Sequence, residues 1–332
     1  MKADIAIIGA GLAGLTLARE LGEHANISLF EKARGLGGRM STRRRDEHRW
    51  DHGAQFFTAR SRAFKALLKP FIASGDVVEW QPNITTLSPC QPAYKRPWFE
   101  PHYVAAPGMN SLLKAMSPGL NIALQTRVET LQQHNGKWRL LDDQGAELGE
   151  FDWVISSAPL PQTQVLLPFA PDTWADFGML PCYALMLKVN DSDLPVWDAA
   201  KVNNSSLRWI AFNHRLPGRN RELGAVVAHS TADWAATHLE DCQDTVRNQL
   251  TAEFCALTGV SPQAVQEAQL HRWRYALATE VTKNELGHDP SGYVLDSERK
   301  LAACGDWCLG GRVEAAFTSA HQLAARLKQQ GF

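Results

Sequence analysis

Apolar residues in this chain come in short runs separated by glycine, proline and polar turns. The first run, residues 5–8, is unbroken and suits a strand buried on both faces of a parallel sheet. Gly9, Gly11 and Gly14 follow at once, and a second apolar run, residues 27–30, ends in Glu31, twenty residues beyond Gly11. Strand, glycine turn, helix, strand and acid in this order predict a dinucleotide-binding unit. Gly9 permits the tight turn, Gly11 lets a pyrophosphate approach the backbone, and Gly14 lets the helix pack closely on the sheet. The first amides of that helix face the phosphates, and Glu31 can accept hydrogen bonds from a ribose.

The later pattern predicts a second kind of layer. Residues 60–71 read as a helix with Phe64, Leu67, Leu68 and Phe71 on one face, stopped at Ala73-Ser74-Gly75. Residues 76–103 change character, with several prolines, several aromatics and a strand-like piece at 84–87, and Pro107-Gly108-Met109 marks a return. A meander is expected from residues 122–128, 137–141 and 151–155, with turns at Asn135-Gly136 and Asp143-Gln144-Gly145, covering one face of the nucleotide sheet. Residues 183–189, 207–212 and 225–229 predict an antiparallel sheet, and Val246, Leu250, Phe254 and Leu257 recur at the spacing of a helix that packs on it. The fold class expected is α/β, a Rossmann-type domain with an interleaved antiparallel-sheet domain. The first would take residues 1–75, 104–160 and 290–332, the second 76–103 and 161–289.

Composition sets outer limits. At 332 residues and 45% hydrophobic content the chain can bury a large core in two closely joined domains. A net charge of −1 gives no overall attraction to nucleic acid or to an anionic membrane. The six cysteines lack the density of a disulfide scaffold, which favours reduced thiols, and Cys304 and Cys308 miss the redox spacing and read as packing residues. The first strand starts without a charged, apolar and cleavable leader, and no run approaches the ~18 apolar residues of a membrane span, so a cytoplasmic protein is expected. No metal site is assigned.

Two further segments choose the cofactor. Arg34 to Arg39 adds glycines and a cation just after the ribose acid, where Arg39 can meet a second phosphate. Residues 301–304 form a short apolar run, Gly305-Asp306 lies at its end, and Ala316, Ala320, Leu323, Ala324 and Leu327 mark the buried stripe of a final helix. Ligands of open α/β sheets lie at such strand ends. Asp306 could accept from ribityl hydroxyls, and amides near Val313 could stabilise negative charge at a flavin N1/O2 edge. Together the two ends of the chain predict non-covalent FAD. The plainer alternative is that Asp306 only flanks a helix.

Four blocks then carry a resemblance: the start through Arg39; Asp51-His52-Gly53-Ala54-Gln55-Phe56-Phe57-Thr58-Ala59-Arg60; His271-Arg272-Trp273-Arg274-Tyr275-Ala276; and Cys304 through Glu314. With these the chain resembles the FAD-dependent oxidoreductases of the flavin amine oxidase superfamily, which share the p-hydroxybenzoate hydroxylase-like fold, and more closely their bacterial renalase-like branch. The resemblance implies an enzyme that takes a hydride onto flavin N5 from misreduced 1,2-dihydro and 1,6-dihydro isomers of NAD(P)H. Reoxidation by O2 would then give hydrogen peroxide and β-NAD(P)+. It implies that Gly9, Gly11, Leu12, Ala13, Gly14, Glu31, Lys32 and Arg39 hold the adenosine and pyrophosphate, and that Ala54, Gln55, Phe56, Arg312, Val313 and Ala316 lie along the flavin. Phe57, Thr58, Ala59 and Arg60 would enter the substrate pocket, with Arg60 binding phosphate or standing as a solvated charge.

Val128 could offer its backbone to the adenine edge or be a core valine. Trp273 and Tyr275 could wall a planar nicotinamide or fill the core. His229 could bond the carboxamide of that ring. No ionising acid or base is assigned, because a dihydropyridine already carries the electron pair that expels hydride. The chain has no second G-x-G-x-x-G, so a pyridine nucleotide would enter as substrate. Alternatives are an amine oxidase or desaturase of a small hydrophobic substrate, and a flavin-binding protein without turnover. The oligomeric state is left open.

Overall fold

The computed structural model describes residues 2–97, 99–168, 178–279 and 292–331. The boundary expected at 289/290 lies outside the described residues. The nucleotide sheet has six strands in the order Ile122–Leu124, Asn26–Glu31, Asp4–Ile8, Trp153–Ser156, Leu301–Ala303 and Val294–Asp296. All its neighbours are parallel except the last pair. The helices Leu12–Leu21 and Val313–Gln329 pack together against one face, sharing a core with Ile5, Ile7, Leu29 and Ile155. The antiparallel meander Val128–His134, Lys137–Asp142, Glu147–Phe151 covers the other, where Phe30, Val128, Trp138 and Val154 meet.

The seven-stranded sheet runs Val265–Ala278, Met179–Val189, Ala225–Ser230, Leu207–Phe212, Ala199–Val202, Ile84–Leu87 and Tyr94–Lys95. The helix Gln243–Thr258 covers one face and buries Val246, Leu250 and Phe254 against Leu185, Ile210 and Val226. The opposite face therefore turns toward the nucleotide half.

Two predicted strands are each split. Residues 122–128 divide into Ile122–Leu124, which joins the nucleotide sheet, and Val128–His134, which opens the meander. Gln125, with φ 54, breaks the run in a left-handed conformation that no strand can carry through. Residues 151–155 divide likewise into the end of Glu147–Phe151 and the start of Trp153–Ser156, because Asp152 donates its backbone N–H to the Asp4 carbonyl and turns the chain into the parallel sheet. The helix predicted at 60–71 runs from Arg62 to Ser74, capped by Ser61 and ended by the left-handed Gly75.

Candidate active site

One cleft of about 1470 Å³ runs from the glycine turn to the seven-stranded sheet. That exceeds the roughly 300–1,000 Å³ of a single small-molecule site and leaves room for a second ligand beside a dinucleotide. Every sequence-predicted site residue lines it except Gly14 and Ala59. Gly14 acts behind the wall: a Cβ there would stand 2.0 Å from the Gly9 carbonyl oxygen, so the bare backbone is what lets the helix reach the turn. Ala59, expected in the substrate pocket, faces a separate depression with Lys65, Leu68 and Tyr103, because its methyl packs on the core as the chain enters the next helix.

The nucleotide end fits a dinucleotide. Gly11 begins the helix Leu12–Leu21 with no side-chain cap, and nothing lies within 4 Å of where its Cβ would be. Uncapped first-turn amides beside open space form an anion cradle. Glu31 is buried at the rim and accepts from Ala10 N at 2.9 Å and Ala33 N at 2.8 Å, which fixes its carboxylate where a ribose could add a further donor. Lys32, on the cleft, donates to Gln162 Oε1 at 3.1 Å. Val128 lies at the start of its meander strand, buried and on the cleft at once. Ser157, Pro159 and Gln162 also line this end. Sequence reasoning missed them, since their only signal was position just after a buried strand end.

The two chain ends meet here. The Arg39 guanidinium donates to both oxygens of Asp306, one at 2.8 Å, across 267 residues of sequence. The sequence assigned these groups separate tasks, a phosphate contact and a ribityl contact; the structure pairs them, because opposite charges in a half-buried wall neutralise one another. Arg60 is likewise engaged. Its guanidinium grips Glu100 at 2.9 and 2.6 Å, so the fork expected for substrate phosphate is occupied by a carboxylate. Glu314, in the first turn of the last helix, accepts from the backbone of Arg60 and Ser61 at 2.8 and 2.6 Å and clamps this loop to Val313–Gln329.

The substrate side is aromatic and uncharged at its centre. His52 stacks on Trp273, with centroids 5.3 Å apart and planes at 22°, and meets His271 edge-on at 4.8 Å. The His52 carbonyl accepts from Trp273 Nε1 at 2.9 Å and lies 3.2 Å from His229 Nε2, which must be the protonated nitrogen because a carbonyl only accepts. His229 was expected to hold a carboxamide; its Nε2–H is committed here, and Nδ1 is left. Tyr275 lines the cleft two residues beyond Trp273. Phe56 packs among Trp80, His102 and Trp209. The Trp209 indole N–H is buried and has no partner among the described residues.

Burial drives the three histidines toward the neutral form. His52 is pushed down to about 3, with the neighbouring His271 and Arg43 adding to desolvation, and His229 and His271 down to about 4, helped by Arg208 and Arg43 respectively. Above pH 6.5 neither the folded nor the unfolded chain protonates them; below it the unfolded chain takes up protons that the folded one refuses. Stability should therefore fall steadily from pH 6.5 toward pH 4. Thermal melts across that range would show a declining midpoint, and a flat profile would mean that these rings are solvated.

Cys304 and Cys308 do not line the cleft, and burial raises both thiols, Cys308 to about 12. No helix among the described residues is long and apolar enough to cross a membrane.

A glycine cradle, a buried acid at its rim and an antiparallel sheet facing them across one cleft define a flavin-dependent oxidoreductase architecture. Residues 7–71 match a model of the NAD(P)-binding Rossmann-like domain, and residues 99–328 match that of the flavin containing amine oxidoreductases. The chain belongs to the flavin containing amine oxidoreductase family, and its cofactor is FAD. It is similar in fold to a structure described as a protoporphyrinogen oxidase from Exiguobacterium sp. 255-15, at 13% identity and TM-score 0.79 over 99% of both chains. It is also similar to a putrescine oxidase bound to putrescine, at 13% identity and TM-score 0.74 over 99% of both chains.

Proposed function

We propose that this oxidoreductase oxidises misreduced dihydro isomers of NAD(P)H, as the renalase-like blocks of its sequence imply. One observation supports this reading most: the charged side chains that the seven-stranded sheet turns to the cleft, Lys201 and Arg208, are both cations. Such a wall repels an ammonium substrate and attracts a polyanionic dinucleotide.

In this reading Gly11, Leu12, Ala13, Glu31 and Lys32 hold the adenosine and pyrophosphate of FAD, and Ala54 to Phe56, Arg312, Val313 and Ala316 lie along its ring. FAD, when bound, supplies the acceptor for the hydride leaving C2 or C6 of the dihydropyridine, and O2 takes the electrons on as hydrogen peroxide. The protein's share is positioning and exclusion of water. Trp273 and His52 present a flat stack for the nicotinamide. The three neutral histidines add no positive charge of their own against a ring that becomes positively charged as it loses hydride. The accompanying domain division is 1–75, 104–160 and 290–332 for the cofactor half, and 76–103 with 161–289 for the substrate half.

The second reading, oxidation of a small hydrophobic amine, draws on the ring cluster of Phe56, His102 and Trp209. Anaerobic mixing of the flavin-loaded protein with borohydride-reduced NAD isomers decides. The flavin absorbance should bleach within the mixing experiment; bleaching by amines alone would remove the dihydropyridine reading, and bleaching by neither would favour a flavin-binding protein without turnover.

A further inference from the structure

Two cations of the seven-stranded sheet lack the carboxylate partner that several other arginines along the cleft have. Arg39, Arg60, Arg127, Arg272 and Arg274 each meet a carboxylate. Lys201 and Arg208 are exposed, line the cleft, and pair with none among the described residues.

Their placement follows from the sheet. In register across five strands lie Lys201, Trp209, His229, Ala184 and His271, so their side chains share a face. It is the face away from the covering helix, because Ile210 and Val226, the strand neighbours of alternating direction, are buried against that helix. Arg208 would ordinarily point the other way from Trp209. The pairing of Leu207–Phe212 with Ala225–Ser230, however, shifts register between Leu207 and Trp209: Leu207 is opposite Ser230 and Trp209 opposite His229, leaving Arg208 as the extra residue. A bulge of this kind re-aims a side chain. Leu207 is buried on the helix side while the Arg208 charge acts on Cys182 and His229, both on the cleft side. Arg208 thus comes to the same face as Lys201, whose register partner Trp209 is its chain neighbour.

Two cations brought together without a counter-charge repel each other unless an anion sits between them. A guanidinium fork beside an ammonium suits the several oxygens of a phosphate. We propose that Lys201 and Arg208 form a subsite for a phosphate group of the substrate, at the far end of the aromatic row that receives its ring. The proposal rests on the dinucleotide reading above and assigns the group that the engaged Arg60 does not.

The test compares flavin-loaded wild type, Lys201→Gln, Arg208→Gln and the double variant on two sets of substrates. One set is the borohydride-reduced isomers of NAD and of NADP; the other is the same isomers of dihydronicotinamide riboside, which carry no phosphate. Melting temperature and flavin absorbance check that the exposed replacements leave the fold intact. The double variant should raise KM for the dinucleotides about tenfold or more with kcat little changed, and should flatten the dependence of KM on salt. KM for the ribosides should stay as in wild type. An effect confined to the NADP isomers assigns the 2′-phosphate, and an equal effect on both assigns the pyrophosphate. Equal changes for riboside and dinucleotide, or no change for either, would overturn the subsite while leaving dihydropyridine oxidation standing. Failure of wild type to oxidise any of these compounds would remove the reading beneath it, and the subsite with it.

Discussion

Arg219→Met is expected to destabilise the protein by about 3–5 kcal/mol, because it strands a buried carboxylate. Arg219 and Asp51 are only 3% and 1% exposed, and their contact of 2.6 Å joins the loop beyond Asn213–Arg215 to the start of the segment that lines the cleft from His52 onward. Asp51 also accepts from Thr42 Oγ1 at 2.6 Å and Met109 N at 2.8 Å, neither of which can replace a full positive charge. Its own N–H donates to Asn213 Oδ1 at 2.6 Å, and Asn213 Nδ2 reaches Gln55 Oε1 at 3.3 Å. Since Gln55 lines the cleft, the loss should be felt as loosened flavin as well as lowered stability. Urea unfolding of the variant should show the drop in midpoint. Adding Asp51→Asn, which removes the stranded charge, should restore part of it; no recovery would mean that the arginine acts by packing alone.

The second large effect is expected from Gly14→Ala. The added methyl carbon would lie 2.0 Å from the Gly9 carbonyl oxygen and 2.9 Å from Ser157 Oγ, and the first of these is backbone that cannot swing away. Helix and turn must separate, at a cost of about 3 kcal/mol, the upper end of overpacking. Gly11→Ala is the informative contrast. With nothing within 4 Å of its Cβ position, it should leave the melting temperature of the flavin-free protein unchanged yet cut the fraction that retains flavin. Paired melts and absorbance ratios on both variants separate the two roles, and equal melting of Gly14→Ala and wild type would refute the packing argument.

The glycine turn, Glu31 and the final helix were legible because each follows from a local rule: a tight turn, a strand-end acid, a stripe at helical spacing. What sequence could not reveal were contacts settled by register and by distant charge. The grip of Glu100 on Arg60 spans 40 residues, and that of Asp306 on Arg39 spans 267. No pattern in residues 199–212 announces that a bulge turns Arg208 toward Lys201, since alternation alone would have sent it the other way. His52 was hidden for a related reason. It sits within a quoted block, but its stack on Trp273 depends on a loop meeting a strand more than 200 residues later.

The strand order of the nucleotide sheet also bears on how the chain comes to be folded. Asp4–Ile8, near the start, has Trp153–Ser156 as its neighbour, and that strand in turn waits for Leu301–Ala303. A nascent chain emerging from the ribosome can therefore form its glycine turn early but cannot close the sheet around it until Leu301–Ala303 has been made. Such long-range pairing slows folding and keeps an apolar strand edge uncovered in the interval. The Arg39–Asp306 pair on the cleft wall likewise cannot form until Asp306 has been made.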